Sequence, residues 1–218
     1  MIEIAVELAF ETPLNIGSGA QHGTFADRAM IKDRDGWPYI PASAFKGRLR
    51  HAVEQIAYAQ GLSDCDTHHQ TCRQDPCPVC TIFGAPWKPG KLRFTRLQLE
   101  GPPEVVTGLQ ELRRQNRVPR TQVRYGVALS RRRRVSEDNL LYTTELFEPG
   151  VRLIFGGTLK GEILQQEAAL IVGGLRLLPA MGRGKSGGLG WVSAEAKTSE
   201  GDQVLSDDVL RQRLAAWG

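Results

Sequence analysis

No stretch of the 218-residue sequence stays apolar long enough to span a bilayer, and the N-terminus lacks a basic region followed by an apolar signal core. A cytoplasmic location with no membrane partner is the expectation. Cysteine is scarce: four residues, all between positions 65 and 80. A secreted disulfide framework spreads its cysteines through the domain, so this local group fits a metal in a reducing compartment better. Acidic residues are missing from Arg113 to Arg134, a stretch with nine arginines, whereas five acids stand against three basic residues from Ser193 onward. The net charge of +4 decides little. A field concentrated in one stretch points to a polyanion, with a merely solvated face as the plainer alternative.

What is present is organised around Trp37 to Ile56. Pro38 and Pro41 hold the approach extended, and Ser43 offers a hydroxyl where a helix should start. Phe45, Leu49, Val53 and Ile56 then recur at helical spacing, predicting a helix over Ser43–Ala59 with Gly61 to end it. Lys46, Arg48 and Arg50 place positive charge in its first two turns, where it opposes the helix dipole. A bound anion, assisted by free amides at that end, explains such a choice; a basic surface helix without ligand is the alternative.

Ile2, Ile4, Val6, Leu8 and Phe10 alternate with Glu3, Ala5, Glu7 and Ala9, the pattern of a half-buried strand. Leu92 to Leu99 reads as a strand with a slip between Phe94 and Leu97. Residues 104 to 145 read as a short amphipathic piece, the arginine-rich stretch and a return strand, together a hairpin arm. Val151, Leu153 and Phe155 restart the alternation. A helix from about Glu162 follows, with Leu164, Ala168, Ile171, Leu175 and Leu178 on one face, and Leu189, Trp191 and Val192 begin a last strand. A polar tail, 199–218, ends in a short helix. Two β-α-β halves in this order predict an α+β, ferredoxin-like fold: an antiparallel sheet with two helices on one face, in a single domain 1–218 carrying insertions.

Cys65, Cys72, Cys77 and Cys80 give C-x6-C-x4-C-x2-C in the insertion 63–84. Four thiolates leave a zinc ion no open position, so a structural Zn²⁺ is expected in a loop with little apolar material of its own. His68 or His69 could replace Cys65, and free or redox-active thiols are the alternative. Gly182-Arg183-Gly184-Lys185-Ser186 resembles a phosphate loop only superficially, because Pro179 occupies the first glycine position and the loop precedes a strand. A flexible backbone bearing Arg183 and Lys185, able to approach a phosphodiester, is what survives, against an ordinary glycine-rich linker. In the arm, Arg117, Arg120, Arg124, Arg131 and Arg132 could neutralise phosphates, with Tyr125 or Tyr142 available for stacking. Asp27 is a loop acid near these contacts, useful there only to recruit Mg²⁺ or handle a proton, and otherwise a surface or turn residue. His22, close in sequence, could serve as a general base.

Ile16-Gly17-Ser18-Gly19, Phe25-Ala26-Asp27, Ile31-Lys32-Asp33 and Pro38 to Arg50 together resemble the N-terminal signature of the CRISPR-associated RAMP superfamily. The nearest likeness is to the Cas7 backbone subunit of type III effectors, of the Csm3 and Cmr4 kind. The Cys-rich insertion running into Ile82-Phe83-Gly84 and the loop Gly182 to Gly190 match as well, so the resemblance covers roughly residues 4 to 192. It implies an RRM-related palm, a zinc-bearing insertion (63–84) and a thumb hairpin (104–145). It further implies stacking with Cas7-like copies or homologous subunits along a CRISPR guide RNA, beside large and small effector subunits. Lys46 and Arg50, with Arg48, take the guide-binding positions. Asp27 takes the position that supports Mg²⁺- or Mn²⁺-dependent endoribonuclease cleavage of the complementary target RNA. A non-cleaving structural relative is a second expectation, and a guide-processing ribonuclease or other RNA-binding module a third.

Overall fold

The computed structural model describes residues 1–17, 26–63, 65, 72, 75–101, 103–118, 121–130, 132–147 and 153–217. The N-terminal alternation becomes β1 (Ile2–Phe10), with Ile2, Ile4, Val6, Leu8 and Phe10 buried and Ala5 and Glu7 exposed on the opposite face. A short strand, β2 (Tyr39–Ile40), leads into α1 (Ala42–Ala59). The helix begins before the expected cap. Pro41, at φ −58° and ψ 140°, is the last extended residue, and its carbonyl accepts the Phe45 N–H at 3.1 Å. Ser43 therefore lies inside the first turn and makes no cap. Gly61 does end the helix: at φ +67° its N–H reaches Tyr58 O at 3.0 Å, and Leu62 N–H reaches Ala57 O at 2.8 Å.

The insertion then forms α2 (Pro78–Phe83), and the short pair β3 (Gly84–Ala85) and β4 (Lys88–Pro89) follows at its end. β5 (Leu92–Phe94) and β6 (Leu97–Leu99) flank the expected slip, which falls at Thr95–Arg96. After α3 (Pro103–Arg114), β7 (Gln122–Ser130) and β8 (Val135–Leu146) make a two-stranded sheet of their own. β9 (Leu153–Gly161) returns to the main sheet and pairs with β1, β5 and β6. The second helix, α4 (Gln165–Arg176), starts later than the expected Glu162. Leu164 is its extended N-cap, with its N–H held by the Glu167 carboxylate at 2.8 Å, and this turns the Leu164 side chain outward, 57% exposed, away from the expected buried face. β10 (Val192–Glu200) runs past Ser199 and turns at Gly201 into β11 (Gln203–Leu205), so the polar stretch begins as a sheet edge before α5 (Asp207–Ala215).

The main sheet has the order β11-β10-β1-β9-β6-β2, with every neighbouring pair antiparallel. Its four principal strands, β10-β1-β9-β6, with α1 and α4 packed together over them, make the fold ferredoxin-like. Leu49 and Val53 of α1 and Leu170 and Ile171 of α4 share one buried core with Ile4, Leu8, Phe155 and Leu159 of the sheet. Among the described residues the other face is left open, and it is acidic at its centre. Glu7 stands opposite Glu195 across β1 and β10, and the Glu100 carboxyl lies over Gly156, the β9 partner of Glu7. Burial first, and then the Glu7 charge, push the Glu100 carboxyl up. Among the described residues no helix is long and apolar enough to cross a membrane.

Candidate nucleic-acid interface

The first basic residues of α1 and the glycine loop come together. Arg48 Nε donates to Ala180 O at 3.2 Å, just before the loop. Lys185 is close enough to feel it: its pKa is lowered by partial burial and then by the Arg48 charge. Lys46 lies with its ammonium 5.8 Å from the centre of the Phe94 ring. Between them Gly47 is an unusual occupant of a helix interior, where glycine costs about 1 kcal/mol relative to alanine. A Cβ there would meet nothing within 4 Å among the described residues, so their packing does not require the glycine.

The loop is less free than its composition suggests. Arg183 N–H donates to Asn15 O at 2.9 Å, Gly190 N–H to Pro13 O at 2.9 Å, and Met181 N–H to Gly190 O at 2.8 Å. Gly182, at φ +90°, sits so close to Asn15 that a Cβ would fall 2.4 Å from its carbonyl. The Arg183 guanidinium packs on Gly17, while Gly184, Lys185 and Ser186 are exposed in the short turn that follows.

Asp27 is an exposed residue fastened to the root of the β7–β8 hairpin. Thr143 donates to its Oδ2 through both the backbone N–H, at 2.7 Å, and the hydroxyl, at 2.9 Å. Arg28 continues the join: its N–H donates to Thr143 O at 3.0 Å, its carbonyl accepts Glu145 N–H at 3.1 Å, and its guanidinium lies 3.8 Å above the Tyr142 ring. The Thr143 amide and then its hydroxyl hold the Asp27 carboxyl below the usual range, so it is an anion at neutral pH and no proton donor. His22 lies outside the described residues.

Sequence reasoning missed the residue that organises this root. Glu145, 2% exposed, accepts from Met30 N–H at 2.9 Å, Lys32 Nζ at 2.5 Å and Thr121 Oγ1 at 2.6 Å. Burial pushes its carboxyl up, yet the Lys32, Thr121 and Met30 donors bring it below the usual value. Asn15, fully buried, donates to both Glu145 O at 2.6 Å and Arg28 O at 3.1 Å. Each of these bonds joins segments far apart in sequence, and no local spacing announces them.

In the arm, Arg117, Arg124 and Arg132 are exposed, while Arg120 and Arg131 lie outside the described residues. The hairpin also presents apolar side chains to water: Tyr125 is 71% exposed, Leu129 67% and Leu141 68%, with Val127 paired to Leu141 between the strands. Tyr142 lies under Arg28, which leaves Tyr125 as the open ring of the two.

The four cysteine sulfurs lie within 4.8 Å of one another, Cys65 and Cys80 at 3.5 Å. Cys77 caps α2, its Sγ accepting the Cys80 N–H at 3.5 Å, and Cys72 Sγ accepts the Cys77 N–H at 3.5 Å. A tetrahedral zinc with bonds of about 2.3 Å needs sulfurs about 3.8 Å apart, so the set fits. Burial pushes the Cys65 thiol up to about 12, and a bound cation would favour its thiolate. All four sulfurs are assembled, and His68 and His69 lie outside the described residues. Arg50 faces this cluster: Nη1 donates to Gly84 O at 2.7 Å, Nη2 approaches Cys80 Sγ at 3.8 Å, and Nε pairs with Glu54 at 2.8 Å.

The sequence profile of the RAMP superfamily matches residues 7–193, from the second half of β1 through α1, the cysteine insertion, the hairpin and the glycine loop. The chain belongs to the RAMP superfamily. No curated protein matches it. Membership points to a CRISPR-associated, RNA-binding module that works in complexes with other Cas subunits. Within that class, the open sheet face of this RAMP chain is acidic at its centre, around Glu7, Glu195 and Glu100, with Lys160 and Lys197 toward one end, and further basic groups gather on α1, the glycine loop and the hairpin.

Proposed function

We propose that this RAMP protein is a Cas7-like backbone subunit of a type III CRISPR effector, binding guide RNA and cutting the target RNA paired with it. Lys46, Arg48, Arg183 and Lys185 would hold the guide backbone, with Gly47 and Ser186 leaving room for close approach. The hairpin would enter the duplex, Tyr125, Leu129 and Leu141 displacing bases as apolar wedges do in bent nucleic acids while Arg117, Arg124 and Arg132 hold phosphates. Neighbouring copies or homologous subunits would meet head to tail along the guide. The cysteines would hold a structural zinc that shapes the 63–84 insertion.

One observation carries the cleavage reading: an exposed, ionised carboxylate, Asp27, held in fixed orientation at the hairpin root. Oδ2 is engaged by Thr143, leaving Oδ1 for a ligand. A single carboxylate completed by substrate phosphates is an ordinary magnesium site, and a bound Mg²⁺ or Mn²⁺ would supply positive charge to the reacting phosphate. The target's 2′-hydroxyl would attack the adjacent phosphorus and the 5′-oxygen would leave, giving a 2′,3′-cyclic phosphate and a 5′-hydroxyl end. The hairpin's contribution is alignment of those atoms in the distorted strand, and effective molarity from such alignment can supply much of the rate.

A non-cleaving structural subunit is the second reading, favoured by the same pair of bonds, since they give Asp27 a task in joining loop and hairpin. The deciding experiment uses the assembled complex, labelled target RNA, Asp27→Asn and an EDTA control. Guide and target binding should stay nearly intact in the variant while cleavage falls by at least about 100-fold. Equal loss of binding and cutting would place Asp27 in assembly alone.

A further inference from the structure

An open cleft of about 510 Å³ lies beside β6, between the Asp33–Trp37 turn and the end of α3 from which the chain runs on to the hairpin. Two guanidinium groups line it, each laid against an aromatic ring. Arg113 Cζ is 4.6 Å from the centre of the Trp37 ring, and Arg96 Cζ is 5.3 Å from that of Tyr39. Arg113 Nη2 donates to Leu99 O at 3.3 Å, and the Gln98 amide, once turned with its oxygen toward the guanidinium, accepts from Arg96 Nε at 3.2 Å. Among the described residues neither arginine has a carboxylate at ion-pair distance. An arginine steadied on a ring holds its remaining donors outward in a fixed plane, the arrangement a phosphodiester accepts best.

The cleft is nonetheless no bare cationic track. Asp35 and the amides of Gln98 and Asn116 line it as well. The N–H groups of Asp35, at 3.1 Å, and Trp37, at 2.8 Å, both go to Asp33 Oδ1, which leaves Asp33 Oδ2 and the Asp35 carboxylate as the acidic acceptors of the cleft. Two carboxylates beside two cations repel a free phosphate or an acidic peptide and offer neither anything in return. They suit a nucleotide, whose phosphate faces the guanidiniums while a ribose hydroxyl or base N–H donates to Asp35. The volume is in the range of roughly 300–1,000 Å³ usual for small-molecule sites, enough for one nucleotide and too small for a duplex. Val118 packs so closely on Gly36 that a Cβ there would fall 2.9 Å from its Cγ1, which ties the turn to the chain leading into the hairpin.

We infer that this cleft is a second RNA contact, seating one unpaired nucleotide of a strand that passes the hairpin root. It shares no residue with the α1 and glycine-loop surface, and it rests on the RNA-binding reading above. The full chain is titrated with a fluorescein-labelled ten-residue oligouridylate across a salt series, as wild type, as Arg96→Gln/Arg113→Gln and as Lys46→Ala/Lys185→Ala. The arginine pair should weaken binding about tenfold and lower the log–log salt slope by about 0.7 for the phosphate lost. In the wild type, 4-thiouridine in the same RNA should cross-link to the peptide holding Trp37 and Tyr39. That measurement stands even if the variant misfolds. Unchanged affinity and slope in a folded variant, or cross-links confined to α1 and the glycine loop, overturns the cleft and leaves RNA binding by the chain intact. A change in oligomeric state with unchanged RNA affinity assigns the cleft to a neighbouring protein and also overturns it. Absence of RNA binding by the wild type removes the wider reading itself.

Discussion

The Thr143 hydroxyl works on both sides of Asp27: it accepts the Asp27 N–H at 2.9 Å and donates to the same residue's Oδ2 at 2.9 Å. The carboxylate's direction is thus set by one side chain of β8, 116 residues away in sequence. Thr143→Val keeps the shape and removes the hydroxyl. Guide binding should hold within about twofold, the Asp27 pKa should rise toward its ordinary value, and target cleavage should fall about 10- to 100-fold, the cost of misplacing a reacting group. Carbon-detected titration of the Asp27 carboxyl and single-turnover cleavage read the two effects. Unchanged cleavage would mean that this orientation is irrelevant to the chemistry.

Glu145 makes the hairpin root sensitive to pH. Its folded pKa is depressed, so its contribution to stability is present above the unfolded carboxylate value, near 4.5, and is lost as pH falls through the lower folded value. Glu145→Gln should destabilise the chain by about 2–4 kcal/mol at pH 7, discounted because Lys32 is one-third exposed, and by much less at acid pH where the carboxylate is already protonated. Urea melts at the two pH values check this. Equal losses at both would place the effect in packing instead of charge.

Arg50 should matter to metal more than to RNA. A guanidinium beside a bound thiolate offsets its charge, and the loss of such an outer partner typically lowers metal affinity about 10- to 100-fold. Zinc release to a chromophoric chelator should therefore quicken in Arg50→Gln while oligonucleotide affinity changes little. A selective loss of RNA affinity with normal zinc retention would return Arg50 to the guide-binding set.

The exposed apolar face of the hairpin separates stability from function. Leu129→Asp and Leu141→Asp lie on open surface, so melting should shift by no more than about 0.5 kcal/mol equivalent. Opening of a guide–target duplex, followed by 2-aminopurine fluorescence in the target, should be lost. If both variants open the duplex normally, these side chains do not act as the wedge.

The parts legible in the sequence are those whose chemistry is local. The alternation of β1, the stripe of α1, the Gly61 stop and the four-cysteine spacing all record contacts within a few residues or a simple period. Ser43 misled because Pro41 had already fixed the entry to the helix, and Leu164 because a cap residue is oriented by its own extended backbone, not by the helical stripe. Glu145 and Asn15 left no trace. Along β8 the exposed face of a hairpin gives way to Thr144, Glu145 and Leu146, all buried, without any change of period. Arg50 shares a helical spacing with Lys46, and only the arrival of Gly84 and Cys80 from the insertion turns it to another use.

Residues 13 to 17 carry bonds in two directions. Leu14 exchanges both backbone hydrogen bonds with Phe147 at the foot of the hairpin, while Pro13 and Asn15 hold Gly190 and Arg183 of the glycine loop. This short backbone is a common axle. Tilting the arm drags the loop with it unless those bonds open, so a strand lodged at one would be felt by the strand lodged at the other.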